Sequence, residues 1–97
     1  MKKVKRIEII IPAVELKKVL RLLKESGVSG YTVIRSVTGF GDRGEQTGDE
    51  LTGVFDNACV LTLAEPEKAG GIVEEIRAVL KRHGGVCVVS DADWVIH

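Results

Sequence analysis

Apolar and polar positions change period four times along this chain, and each change marks an element. Residues 4–11 are β-branched and apolar and stop at Pro12, which predicts a strand. Over residues 12–26 the period lengthens. Leu16, Val19, Leu20 and Leu23 fall at i, i+3, i+4 and i+7, with Lys17, Lys18, Arg21 and Lys24 on the other side. This predicts an amphipathic helix with Pro12 near its start and Gly27 just past its end, its basic residues forming a solvated face. Residues 31–38 alternate again, with Val33, Arg35 and Val37 on one face and Thr32, Ile34 and Ser36 on the other.

Residues 54–63 read as a third strand. Pro66 fits the first position of a second helix, whose Ile72, Val73, Ile76, Val79 and Leu80 form one stripe before Gly84-Gly85 ends it. Gly70-Gly71 weakens its first turns by about 1 kcal/mol per glycine. Residues 86–90 make a fourth strand, and Trp94-Val95-Ile96 a short continuation or a fifth piece. Asp91 and Asp93 read as a solvated turn between those pieces. The order is βαββαβ. It predicts an α+β, ferredoxin-like domain: a four-stranded antiparallel sheet, helices on one face, and a long loop between strands 2 and 3.

With helices on one face, the other sheet face should alternate with polar residues. Instead Ile9-Ile10-Ile11 and Val86-Cys87-Val88-Val89 are apolar on both faces, which predicts burial against other copies of the chain. Lys plus Arg equal Asp plus Glu at 14 each, so net charge gives no signal for nucleic acid or an anionic membrane. The apolar run after the basic start is too short for a signal peptide, and no segment approaches a membrane span, so a cytoplasmic protein without membrane insertion is expected. Cys59 and Cys87 each sit in an apolar run, as packed reduced thiols do.

Histidine chemistry is sparse, with only His83 and His97, and no spacing of Cys or His suggests a metal site. The stretch 27–57 is different, because it holds seven of the eleven glycines. Within it, Gly39-Phe40-Gly41-Asp42-Arg43-Gly44 lets backbone approach a ligand closely and turns amide N–H groups toward an anion. It is neither a P-loop nor a dinucleotide fingerprint. Arg43 adds forked donors suited to phosphate or carboxylate, including bicarbonate.

Gly27-Val28-Ser29-Gly30-Tyr31-Thr32-Val33, followed by Thr38-Gly39-Phe40-Gly41 and Gly44, resembles the Gly-x-x-Gly-x-Thr-Val…Gly-Phe-Gly-x-x-x-Gly segment of PII signalling proteins. The resemblance extends over residues 4–96 and implies a single domain over 1–97. It implies a homotrimer with an adenine nucleotide in each cleft between neighbours, and a T-loop, about 43–54, that engages a partner protein. Carried over, Thr32 contacts the adenine, Ile9 and Leu63 pack on it, and Gly39, Phe40 and Gly41 wrap base and sugar. Asp42 and Arg43 lie by the phosphates, with Gly84 and Gly85 reaching them from the neighbouring subunit.

Asp42-Arg43 stands where the family has Arg-Gln, which speaks against 2-oxoglutarate sensing. No tyrosine stands at the loop tip to accept a nucleotidyl group. Few cations surround the phosphates, which favours AMP or ADP over ATP. The pattern resembles the PII-like proteins of inorganic-carbon uptake and carboxysomes, which implies bicarbonate at Arg43 and Gly41 and a transporter or carboxysome-related target. The expectation is a non-catalytic regulator with no catalytic cofactor. Two alternatives are a trimeric metal-binding protein of the CutA type and a weak nucleotide hydrolase using Asp42 or Asp49.

Overall fold

The computed structural model describes residues 1–41, 44–46 and 56–97. Strand β1 (Lys2–Pro12) leads through one 3-10 turn (Ala13–Glu15) into helix α1 (Leu16–Glu25). Then come β2 (Tyr31–Val37), β3 (Gly39–Gly41), β4 (Gly44–Gln46), β5 (Asn57–Ala64), α2 (Pro66–His83) and β6 (Val86–Trp94). Four strands form one sheet in the order β2-β5-β1-β6, every neighbouring pair antiparallel. This is the ferredoxin-like βαββαβ arrangement, with the β3–β4 hairpin inserted between its second and third strands.

Strand parity sets the core. Ile7, Ile9 and Ile11 of β1 stand opposite Thr62, Val60 and Ala58 of β5, and all six are buried. Leu16, Val19 and Leu23 from α1 and Ala69, Ile72, Ile76 and Val79 from α2 close over that face in one cluster. The i, i+3, i+4, i+7 spacing of Leu16, Val19, Leu20 and Leu23 supplies this contact, as expected from α1's pattern. Thr62 is the polar exception, and its hydroxyl donates to the Gly30 carbonyl at 2.7 Å.

Several boundaries differ from the sequence reading. Pro12 closes β1 instead of opening the helix. Ala13 turns its N–H to the Asp56 carbonyl at 2.7 Å, and α1 begins only at Leu16. Ser36 takes a positive φ of 58° where the β2–β5 register shifts between Arg35 and Val37, so the expected alternation on β2 breaks there. The glycine-rich stretch, which has no strand periodicity, nonetheless pairs Phe40 with Glu45 and Gly41 with Gly44. Backbone hydrogen bonds alone can make such a ribbon.

Asp91 and Asp93 are not in a turn. They lie inside β6, opposite Lys5 and Lys3, and pair with those ammonium groups. Cross-strand charge pairing keeps the strand extended to Trp94. The glycine after α1 behaves as expected, Gly27 having a φ of 81° past the Ser26 cap.

Candidate nucleotide-binding site

Register places the candidate residues. Thr32 on β2 stands opposite Leu61 on β5, so both project from the sheet face that the helices leave uncovered. Leu63, two residues on, shares that face, as does Arg6 opposite it on β1. Together Thr32, Leu61 and Leu63 make an apolar floor with one hydroxyl at the β2 edge. Leu61 was missed by sequence reasoning. Its period-two spacing from Leu63 was visible, but its place opposite Thr32 needed the register.

Ile9 does not join this floor. Its side chain is fully buried among Val60 and the helix residues, which leaves only its backbone for a ligand. The β1 side chains on the Thr32 face are Arg6, Glu8 and Ile10, one step out of phase with Ile9. A strand that is apolar on both faces hides that phase from the sequence.

The glycines lie at one end of the sheet. Val37, Asn57, Pro12 and Val86 mark that end, with Gly39–Gly41 following β2 and Gly84-Gly85 preceding β6. β2 and β6 are opposite edges, so β5 and β1 intervene, a span of about 14 Å at the usual ~4.8 Å strand spacing. One chain does not bring the two segments together at its sheet edges. Asp42, Arg43 and Asp49 lie outside the described residues, as does most of the 43–54 loop.

Gly84 and Gly85 have work within the fold. Gly84, at φ 83°, donates its N–H to the Leu80 carbonyl at 2.8 Å and closes α2. Gly85, at φ 124°, lies so close to the Ile10 carbonyl that no side chain fits. Just before them, His83 Nδ1 is 3.4 Å from Glu15 Oε1, joining the end of α2 to the 3-10 turn.

Burial pushes the Cys59 thiol up, with Glu8 adding to the rise and Arg6 opposing it. Cys87 is also raised by burial, against a smaller opposing effect of Arg77. Both cysteines are free, and they stand on opposite faces of the sheet, opposite Ile10 and Ile9 respectively. Among the described residues no three His, Cys, Asp or Glu side chains cluster as a metal ion requires. A cavity of about 190 Å3 lies at the other end of the sheet, walled by Val4, Val28, Leu63 and Ile72 with Trp94.

The chain is thus a βαββαβ sheet with a hairpin after β2, Thr32 on one edge strand and the Gly84-Gly85 pair leading into the other. Residues 4–96 match the family model of nitrogen regulatory protein P-II, and the chain belongs to that family. CPII of Thiomonas intermedia K12, a nitrogen regulatory PII-like protein solved with ADP, AMP and bicarbonate, superposes with a TM-score of 0.85. It is 26% identical, over 94% of this chain and 87% of its own. A second CPII structure, with ADP and bicarbonate, gives a TM-score of 0.83 at 26% identity over 94% and 87%. A PII-like signalling protein of Thermus thermophilus shares the fold, with a TM-score of 0.78 at 21% identity over 97% and 90%. No curated protein matches the chain.

Proposed function

We propose that this chain is a non-catalytic PII-like signalling protein that binds AMP or ADP between the subunits of a homotrimer. The observation that carries the proposal is the placement of the two glycine segments. They share one end of the sheet but sit on opposite edges, so the β2 edge of one copy and the β6 edge of the next complete a cleft. Thr32 then meets the base, Leu61 and Leu63 line its floor, and Gly39–Gly41 wrap it. Gly84 and Gly85 of the neighbouring copy reach the phosphates.

Arg43 and Gly41 hold bicarbonate as the second effector. Support for both ligands comes from CPII, whose structures contain ADP, AMP and bicarbonate at 26% identity. The single domain over 1–97 presents the 43–54 loop to a target in inorganic-carbon uptake or the carboxysome. The protein works in the cytoplasm, and among the described residues no helix is long and apolar enough to cross a membrane.

Calorimetry with AMP, ADP, ATP and cAMP, each with and without bicarbonate, tests the reading. AMP or ADP should bind more tightly than ATP, and bicarbonate should alter the nucleotide affinity. If no adenine nucleotide binds below millimolar concentration, the proposal fails.

A further inference from the structure

The uncovered sheet face is apolar in one row and charged in the next. Ile34, Cys59, Ile10 and Val86 stand opposite one another across all four strands. Ile34 and Val86 are 47% and 51% exposed, so the row is open at both edges. The next row is Thr32, Leu61, Glu8 and Val88, and the one after it holds Leu63, Arg6 and Ser90.

Arg6 and Glu8 are on β1, an interior strand, so they sit within the face and not on its rim. Arg6 Nη2 lies 3.7 Å from Glu8 Oε1, beyond hydrogen-bond length. Among the described residues neither has another ion-pair partner. A second copy laid on this face would strip water from both groups. A desolvated pair this loose loses more solvation than it recovers in attraction, unless each charge finds a closer partner across the contact.

We propose that Arg6 and Glu8 set the register between copies, Arg6 of one copy closing on Glu8 of the next. The proposal rests on the homotrimer put forward above, with the open sheet faces of its copies turned toward one another as their β2 and β6 edges meet. Each copy carries both the donor and the acceptor, two residues apart and about 7 Å along β1, so the pairing repeats around a closed ring. A copy laid with like row against like row instead sets Arg6 against Arg6 and Glu8 against Glu8. The attractive pairing and the penalty on its alternatives therefore act in the same direction.

Sedimentation equilibrium on the wild-type chain, Arg6→Glu, Glu8→Arg and the double charge swap tests this, with Arg6→Gln and Glu8→Gln as milder variants. Circular dichroism confirms the fold of each. Either single reversal should raise the concentration at which the assembly dissociates by about tenfold or more, and the double swap should restore it to within about threefold. The Gln variants should weaken assembly less than the reversals, and they stand in for any reversal that does not fold. Folded variants that assemble like wild type overturn the proposal and leave the trimer standing. A double swap as weak as its two singles combined does the same. A wild-type chain that is monomeric overturns the proposed assembly itself.

Discussion

Gly85 and Ile10 are packed backbone to backbone: a Cβ on Gly85 would overlap the Ile10 carbonyl oxygen and lie 2.9 Å from Cδ2 of Leu80. Its φ of 124° also belongs to glycine alone. Gly85→Ala should therefore destabilise the fold by about 2–4 kcal/mol, combining backbone strain with a clash that rigid β1 backbone cannot relieve. Urea unfolding measures this. A loss below about 0.5 kcal/mol would show that the loop relaxes freely, since that is the range of neutral surface changes.

Gly70 and Gly71 present the opposite case. Both are in α2, exposed, with nothing within 4 Å of an added Cβ. Gly70→Ala and Gly71→Ala should each stabilise by about 0.5–1 kcal/mol, through helix propensity and a less mobile unfolded chain. Their denaturation midpoints in urea should rise with unchanged slope.

The β1–β6 ladder should give stability a dependence on pH at both extremes. Lys5 donates to Asp91 and holds its carboxyl below the usual carboxylate value. Ionised Asp91 thus favours the folded state, fully so above the unfolded-chain value near ~3.9, and the benefit is lost as pH falls through the depressed folded value. The bond from Lys3 to Asp93, at 2.9 Å, raises the Lys3 ammonium instead. Its benefit is complete below the ordinary lysine value and disappears as pH rises through the raised one. Asp91→Asn should flatten the acid limb of a stability–pH curve and Asp93→Asn the alkaline limb. Parallel curves for both variants and wild type would refute the assignment.

Thr32 and Thr62 occupy neighbouring strands but should separate binding from stability. Thr32 is exposed on the open face, so Thr32→Val should leave unfolding unchanged and weaken ADP binding about fivefold, the worth of one hydrogen bond. Thr62→Val removes the donor to the Gly30 carbonyl and should cost about 1 kcal/mol of stability. Calorimetry and urea unfolding on the same two variants check the contrast.

Cys59 and Cys87 should resist both thiol reagents and each other. Both thiols are raised by burial, which lowers the reactive thiolate fraction. Native protein should react at least about tenfold more slowly than protein in urea. Mild oxidation should form no disulfide within a chain, because the two side chains face opposite sides of the sheet with β1 between their strands. Mass spectrometry of non-reduced peptides would reveal such a bond.

Much of this fold is legible because local periodicity and burial agree. The leucines of α1, the Pro66 start and Gly84 end of α2, and the β-branched run of β1 each satisfy a local rule that tertiary packing then uses. The Thr32 and Gly39–Gly41 segments of the candidate site rest instead on the resemblance of their motif to the PII segment, and only the glycine-rich character of the stretch was open to a local reading. Phase and partnership were not. Ile9 and Ile10 are chemically equivalent in sequence, yet one is enclosed in the core and the other joins the open-face row.

The sequence by itself determined the cores of the four main strands, the two helices and where each helix stops, because those choices depend on residues within a few positions. Only the tertiary structure decided that Asp91 and Asp93 belong to a strand, since their partners Lys5 and Lys3 lie nearly the whole chain away. It also decided that Leu61 faces Thr32 and that the two glycine segments lie on opposite edges of the sheet. Those relationships depend on register and strand order, set by the packing of distant segments and not by any one of them.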